Sequence, residues 1–276
     1  MANLKITCLV DNAVKPGSSL WGEHGLSFLI ESGRHSLLFD TGATGTVLLH
    51  NFEQAGVSAE NIDALALSHS HPDHTGGLPA LLSQREGIPI YAHPDLFQPR
   101  FSRQGGEMRP KWLPMNPDEL EQMAELHLNA APQQILPGIW TTGEIAERNE
   151  PEGRSPHHVV RSGEGWAPDP YRDDLSLVLE TTRGLFVLCG CCHAGLLNTL
   201  IHVRRQFGRD PVGVAGGTHL TGASEEHLDR TVARLRDMGS PKLYLNHCTG
   251  PQAFVTLSQA FDDRVTDCPA GSTIRC

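Results

Sequence analysis

Apolar runs of strand length alternate with amphipathic runs of helix length, and the pattern occurs twice along the chain. Leu4–Val10 reads as a first strand. Leu26–Glu31 and Ser36–Phe39 read as two more, turned about Gly33 as a hairpin. Thr46–Ala55 has helical spacing and is closed by Gly56. Ala64–Leu67 is short and wholly apolar, the pattern of a buried strand. Leu78–Gln84 follows as a helix and Ile88–Ala92 as a strand. Further on, Leu175–Glu180 and Leu185–Cys189 flank the turn Thr182-Arg183-Gly184. Gly195–Phe207 then reads as a helix, Val212–Ala215 as a strand and Leu243–Leu245 as another. Between those strands, Glu225–Met238 carries Leu228, Val232, Leu235 and Met238 at helical spacing, and Pro251–Phe261 closes the series as a helix. The shared rhythm predicts an α/β fold of two mixed sheets with helices outside.

From about 95 to 172 the rhythm breaks. Prolines and glycines are frequent, and only Asp118–Leu128 has a helical stretch. The expectation is one domain over residues 1–276, with this stretch inserted over the core. Arg100, Arg103, Arg109 and Lys111 make its first part locally basic. It is either a solvated loop or a lid that meets an anionic substrate.

Composition narrows the function. At 276 residues and 39% hydrophobic, the chain can bury one large core. The net charge of −10 argues against a broad nucleic-acid interface and against anionic membranes. No apolar run reaches membrane-spanning length, and the first residues lack a secretory-signal pattern. Seven cysteines, with Cys189, Cys191 and Cys192 crowded together, do not form a disulfide framework, so a reducing cytoplasm is expected. The fifteen histidines point to metal or proton traffic.

His69-Ser70-His71-Pro72-Asp73-His74 directly follows the buried strand. In extended chain, residues two apart point the same way, so His69 and His71 can grip one ion. Pro72 turns the chain, and Asp73 and His74 then face a second position. Imidazole and carboxylate suit zinc, and are acceptable to iron or manganese. Thr75-Gly76-Gly77 lets the backbone pack tightly beside the ions.

This pattern resembles the His-x-His-x-Asp-His signature of the metallo-β-lactamase superfamily, preceded here by Phe39-Asp40-Thr41-Gly42. Ser68–Leu78, Gly190-Cys191-Cys192-His193-Ala194-Gly195, Gly216-Gly217-Thr218-His219-Leu220 and Asn246-His247-Cys248-Thr249-Gly250 look like the dihydropterin-methyl-ribofuranosylaminobenzene 5′-phosphate synthase group within it. The resemblance implies an αββα sandwich and one or two zinc ions held by His69, His71, Asp73, His74 and His247. It implies that Asp40 holds the outer N–H of a ligating imidazole. The superfamily's bridging aspartate has no counterpart at Gly190-Cys191, so either Cys191 replaces it as a thiolate or His193 supplies the contact. The usual third histidine before the second hairpin is also absent, since Asp173-Asp174 stands there; the first ion would have an oxygen ligand or an open place. His157 and His158, farther upstream, read as surface residues.

An ion so held lowers the pKa of bound water from 15.7 to about 7, giving a hydroxide that attacks an ester, phosphoester or cyclic amide. Asp73 would orient that nucleophile and His219 would serve as general acid or touch metal. Arg100, Arg103 and Arg109 would hold a phosphate. The expected function is therefore a metal-dependent hydrolase of a small, phosphorylated or pterin-like metabolite. Two alternatives are a synthase forming a C-ribosyl product with loss of pyrophosphate and carbon dioxide, and a redox or metal sensor working through Cys189, Cys191, Cys192 and Cys248.

Overall fold

The structure, a computed structural model, describes residues 4–276. The chain begins with β1 (Leu4–Val10), β2 (Ser27–Ser32), β3 (His35–Phe39), α1 (Gly45–Ala55), β4 (Ala64–Ala66), α2 (Pro72–Thr75), α3 (Leu78–Gln84) and β5 (Ile88–Ala92). It continues with β6 (Arg100–Gln104), β7 (Glu107–Pro110), α4 (Pro117–Met123), β8 (Ala124–Leu128), β9 (Gln134–Leu136), β10 (Ile139–Thr141), β11 (His158–Ser162) and β12 (Gly165–Pro168). The remainder is β13 (Ser176–Thr181), β14 (Gly184–Cys189), α5 (Leu196–Phe207), β15 (Pro211–Gly216), α6 (Glu225–Asp237), β16 (Lys242–Leu245), α7 (Pro251–Phe261), β17 (Val265–Asp267) and β18 (Thr273–Arg275).

Two seven-stranded mixed sheets, ordered β18-β1-β2-β3-β4-β5-β8 and β17-β16-β15-β14-β13-β10-β9, form the two middle layers. Their facing sides share one apolar core that includes Ile6, Phe28, Ile30, Phe39, Leu177, Leu179 and Leu188. The outer faces pack on helices: Leu48, Phe52, Leu78 and Leu82 cover the first sheet, and Leu197, Leu200, Leu228 and Leu235 cover the second. Strands buried on both faces explain why β4 and β14 read as continuous apolar runs. Local signals fix the helix ends. Thr44 caps α1 by accepting the Val47 N–H, and Gly56 ends it in the left-handed conformation.

The stretch at 95–172 divides in three. β8 adds to the edge of the first sheet beside β5, and β9 and β10 add to the second beside β13. Only β6, β7, β11 and β12 form a separate four-stranded sheet. The helix expected over Asp118–Leu128 stops at Met123, where Ala124–Leu128 turns to strand. Its alternating Leu126 and Leu128 pack against the first sheet's outer core, so burial there outweighs helix propensity.

β3, β4 and β5 run parallel, as do β14, β15 and β16. Their C-terminal ends gather the loops that carry the candidate chemistry. The loop after the histidine-rich segment passes so close to Ala43 that a Cβ on Gly76 would lie 1.9 Å from the Ala43 carbonyl oxygen. Gly76 has ordinary helical dihedrals (φ −66°), so packing alone excludes a side chain. Gly76→Ala should therefore destabilise the fold by about 1–3 kcal/mol, the range for overpacking. Denaturant unfolding checks this; an unchanged midpoint would contradict the close packing.

Candidate metal centre

Asp40 follows β3 with a left-handed backbone (φ 60°) and is fully buried. Its Oδ1 accepts the Ser68 N–H at 2.7 Å, and its Oδ2 accepts the Ser68 hydroxyl at 2.7 Å. That hydroxyl has one proton, so towards His69 Nδ1, 2.9 Å away, it can only accept. The same Asp40 Oδ2 accepts from His74 Nδ1 at 2.7 Å. One carboxylate thus places an Nδ1 proton on two imidazoles and leaves Nε2 as the nitrogen each turns toward the other donor atoms.

Two other histidines are set the same way. His193 Nδ1 donates to the Gly153 carbonyl at 2.9 Å, and His247 Nδ1 donates to Asn12 Oδ1 at 2.9 Å. The Asp11 carboxylate accepts the His247 backbone N–H, fixing a residue whose φ is +51°.

Two donor sets result. In the first, the rings of His69, His71 and His193 pack with centroids 4.5, 4.8 and 5.0 Å apart. All three Nε2 atoms are buried and without a hydrogen-bond partner. Three orphaned lone pairs in one dry cluster of rings are costly unless a cation takes them. Burial holds all three imidazoles well below their ordinary pKa, which keeps them neutral, as ligation needs.

In the second set, His74 Nε2 lies 3.2 Å from His247 Nε2 and 3.2 Å from Cys191 Sγ. Asp73 Oδ2 stands 3.6 Å from His247 Nε2 and 3.9 Å from His74 Nε2. Burial pushes Asp73 up, yet the surrounding His74, His71 and His247 outweigh it and hold the carboxyl below its ordinary range. Burial pulls His74 down, and Asp40 more than reverses it, to about 9. Cys191 Sγ lies within 4.8 Å of donor atoms of His69 and His193 on one side and of His74 and His247 on the other. Burial and the adjacent Cys248 push the Cys191 thiol up, so a neighbouring cation is what would hold it as thiolate. A third group, Cys191, His219 and Cys248, lies beside these. The donor set of imidazole nitrogens, one thiolate and one carboxylate fits zinc.

The structure therefore brings His69, His71, Asp73, His74, Cys191, His193, His219 and His247 together, with Asp40 behind them. Cys191 and His193 both enter, Cys191 between the two sets and His193 where the third histidine of the first set was missing from the sequence pattern. Asp174, at the place where that histidine was sought, acts indirectly: its Oδ2 accepts the Ala194 N–H and so anchors the His193 loop.

Three expectations change. Arg100 does not face a substrate; its guanidinium is buried and ion-paired to Asp169 at 3.0 Å and Asp173 at 2.7 Å, and it also donates to Ser70 Oγ. Asp173 in turn accepts the Ser70 N–H, so this network props the histidine-rich loop from below. Arg103 and Arg109 are exposed near the tip of the β6–β7 hairpin, Arg109 paired with Glu107. His157 is exposed, but His158 is half-buried, its ring 5.0 Å from that of His71 and its Nδ1 2.7 Å from the Tyr171 hydroxyl. Tyr171 stacks on His193 at 4.1 Å. His158 therefore corrects the surface reading, because the separate sheet carries it to the site, and Tyr171 gave no sequence signal.

Residues 20–187 match a family model described as Metallo-beta-lactamase superfamily. The chain is 30% identical to the 7,8-dihydropterin-6-methyl-4-(beta-D-ribofuranosyl)-aminobenzene-5′-phosphate synthase of Methanocaldococcus jannaschii, over 99% of this chain and 97% of that one. Among solved structures, a metal-dependent hydrolase of the beta-lactamase superfamily superposes with a TM-score of 0.84 at 25% identity, covering 98% of each chain. The metallo-beta-lactamase fold protein YhfI from Bacillus subtilis shares the fold, with a TM-score of 0.60 at 15% identity and full coverage of both chains.

Replacing Asp40 by Asn turns one of its two acceptor oxygens into an N–H donor, so the Ser68 amide, the Ser68 hydroxyl and His74 Nδ1 can no longer all be held. Asp40→Asn should weaken zinc binding about 10–100-fold, the usual effect of losing such a partner. Competition with a chromophoric chelator measures it, and unchanged affinity would contradict the role given to Asp40. The His74 pKa also has a consequence in the metal-free protein. A histidine raised to about 9 contributes stability that is complete below 6.5 and lost as pH rises through 9. Thermal melts across that window should fall for the wild type and stay flatter in Asp40→Asn.

Proposed function

The chain belongs to the metallo-beta-lactamase superfamily, and from that membership we propose a zinc-dependent hydrolase acting on a small anionic metabolite, phosphorylated or pterin-like. The observation that carries the reading is the trio of buried, unpartnered Nε2 atoms on His69, His71 and His193. Those three would hold one ion; Asp73, His74 and His247 would hold a second, with Cys191 between. Bound zinc supplies Lewis acidity, polarising a phosphoryl or carbonyl oxygen and acidifying water.

The chain's own groups do the rest. Asp73 stays ionised and partly exposed, suited to orient attacking water by accepting a hydrogen bond from it. His219 has a buried Nδ1 without a partner, and its ring lies 4.3 Å from that of His193. Burial pulls its pKa down, but the neighbouring Cys248 outweighs that and raises it, the direction a general acid needs. His158 and Tyr171 wall the first donor set and exclude water from it.

The relative from M. jannaschii favours a second reading, a synthase. The product in that relative's name joins a dihydropterin-6-methyl group to a ribofuranosylaminobenzene phosphate; by atom balance this needs a dihydropterin 6-hydroxymethyl diphosphate and the ribofuranosylaminobenzene phosphate, the amine taking the methylene carbon as pyrophosphate leaves. The test is one purified preparation with measured zinc content. It is assayed against phosphomonoesters, phosphodiesters and lactones, and in parallel for pyrophosphate release from that substrate pair. Zinc-dependent hydrolysis supports the proposal; pyrophosphate release without hydrolysis replaces it with the synthase.

His219→Gln should lower kcat about 10²–10⁴-fold on substrates with poor leaving groups, with zinc content unchanged. The loss should shrink on nitrophenyl esters, whose leaving group needs no proton. An equal loss on both would remove His219 as the general acid.

A further inference from the structure

The sandwich has two open ends, and the donor sets occupy only the one where β14, β15 and β16 finish. Where those strands begin, between the same two sheets, lies a cavity of about 180 Å³. Its lining includes Arg183 from the β13–β14 turn, Lys242 at the start of β16, Arg264 just before β17 and Arg275 at the end of β18. Phe186 and Tyr244, which belong to the inter-sheet core, form its apolar side. No aspartate or glutamate lines it. Among the described residues none of the four cations makes an ion pair, and Arg264 alone has a side-chain hydrogen bond, to the Ser240 carbonyl.

Four unpaired cations around one small cavity repel one another, and an anion between them removes that cost. The chain as a whole has a net charge of −10, so the cluster stands against the background. A carboxylate on residue 276, which also lines the cavity, would offset one charge and leave three. Guanidinium groups match phosphate oxygens in pairs, and the lysine adds a point charge. The volume suits a phosphate or diphosphate group; the aromatic side offers a surface to the rest of a nucleotide.

We propose that this cavity is a second anion site, separate from the metal centre, that takes a phosphate-bearing small molecule. The proposal does not depend on the function assigned to the metal centre.

Calorimetric titration of the purified protein with inorganic phosphate, pyrophosphate and ADP tests it. Parallel titrations use Lys242→Ala/Arg275→Ala and, to isolate the metal centre, His71→Ala. The expected result is one equivalent bound by His71→Ala, and the same site at the same affinity in the wild type, where any second equivalent belongs to the metal centre. Binding should be at least tenfold weaker in Lys242→Ala/Arg275→Ala, and should weaken with added salt. Tighter binding of ADP than of pyrophosphate would assign a nucleotide, and equal binding a free phosphate; either supports the site. Absence of binding at millimolar concentration would overturn it. So would binding that is lost in His71→Ala and kept in Lys242→Ala/Arg275→Ala. Lys242 and Arg275 are exposed and His71 is buried, so circular dichroism verifies that each variant folds.

Discussion

The site depends on the buried carboxylate of Asp40. It sits at the end of β3, fully enclosed, and its two oxygens take three donors: the Ser68 amide, the Ser68 hydroxyl and His74 Nδ1. Directly in one case and through Ser68 in the other, it decides which nitrogen of His74 and of His69 holds the proton. Without that decision either ring could turn a proton toward the other donors, and a cation site would become a set of competing N–H groups. The cost is a charge removed from water. The fold meets it with several hydrogen bonds to the same group, the arrangement in which a buried carboxylate is tolerated.

A second buried network supports the same loop from the other side. Arg100, Asp169 and Asp173 are packed under Ser70, which stands between His69 and His71 of the first donor set. Arg100 is carried by the separate sheet of β6, β7, β11 and β12, as is His158. That sheet is thus tied to the centre by one buried ion cluster and by one side chain beside His71. The two parallel strand sets deliver the remaining groups, so donors far apart in sequence meet between the sheet ends.

The layer arrangement was legible because both halves obey simple periodicity: β4 and β14 are apolar runs, and α6 repeats its leucines at helical spacing. The dense segment His69–His74 announced its chemistry because four ligand-type side chains in six positions have no economical packing explanation. Asp40 was legible only through resemblance, since a lone aspartate after a strand also caps turns. The sequence left Cys191 and His193 as alternatives; in three dimensions the turn after β14 presents both, to different partners. Arg100 misled because local charge says nothing about burial, and the two aspartates that neutralise it lie about seventy residues on. His158 read as a surface residue for the same reason: strand pairing between β6 and β11 brings it in, and no short-range pattern encodes it.

The central claim is that the orphaned imidazole nitrogens exist to hold cations in two neighbouring places sharing Cys191. Anomalous diffraction at the zinc edge from crystals of the zinc-loaded protein tests it most directly. The account predicts one peak about 2.0–2.1 Å from Nε2 of His69, His71 and His193 and another at the same range from Nε2 of His74 and His247, with Cys191 Sγ about 2.3 Å from at least one. A map with no peak among these residues, or with zinc bound only elsewhere on the chain, would contradict it.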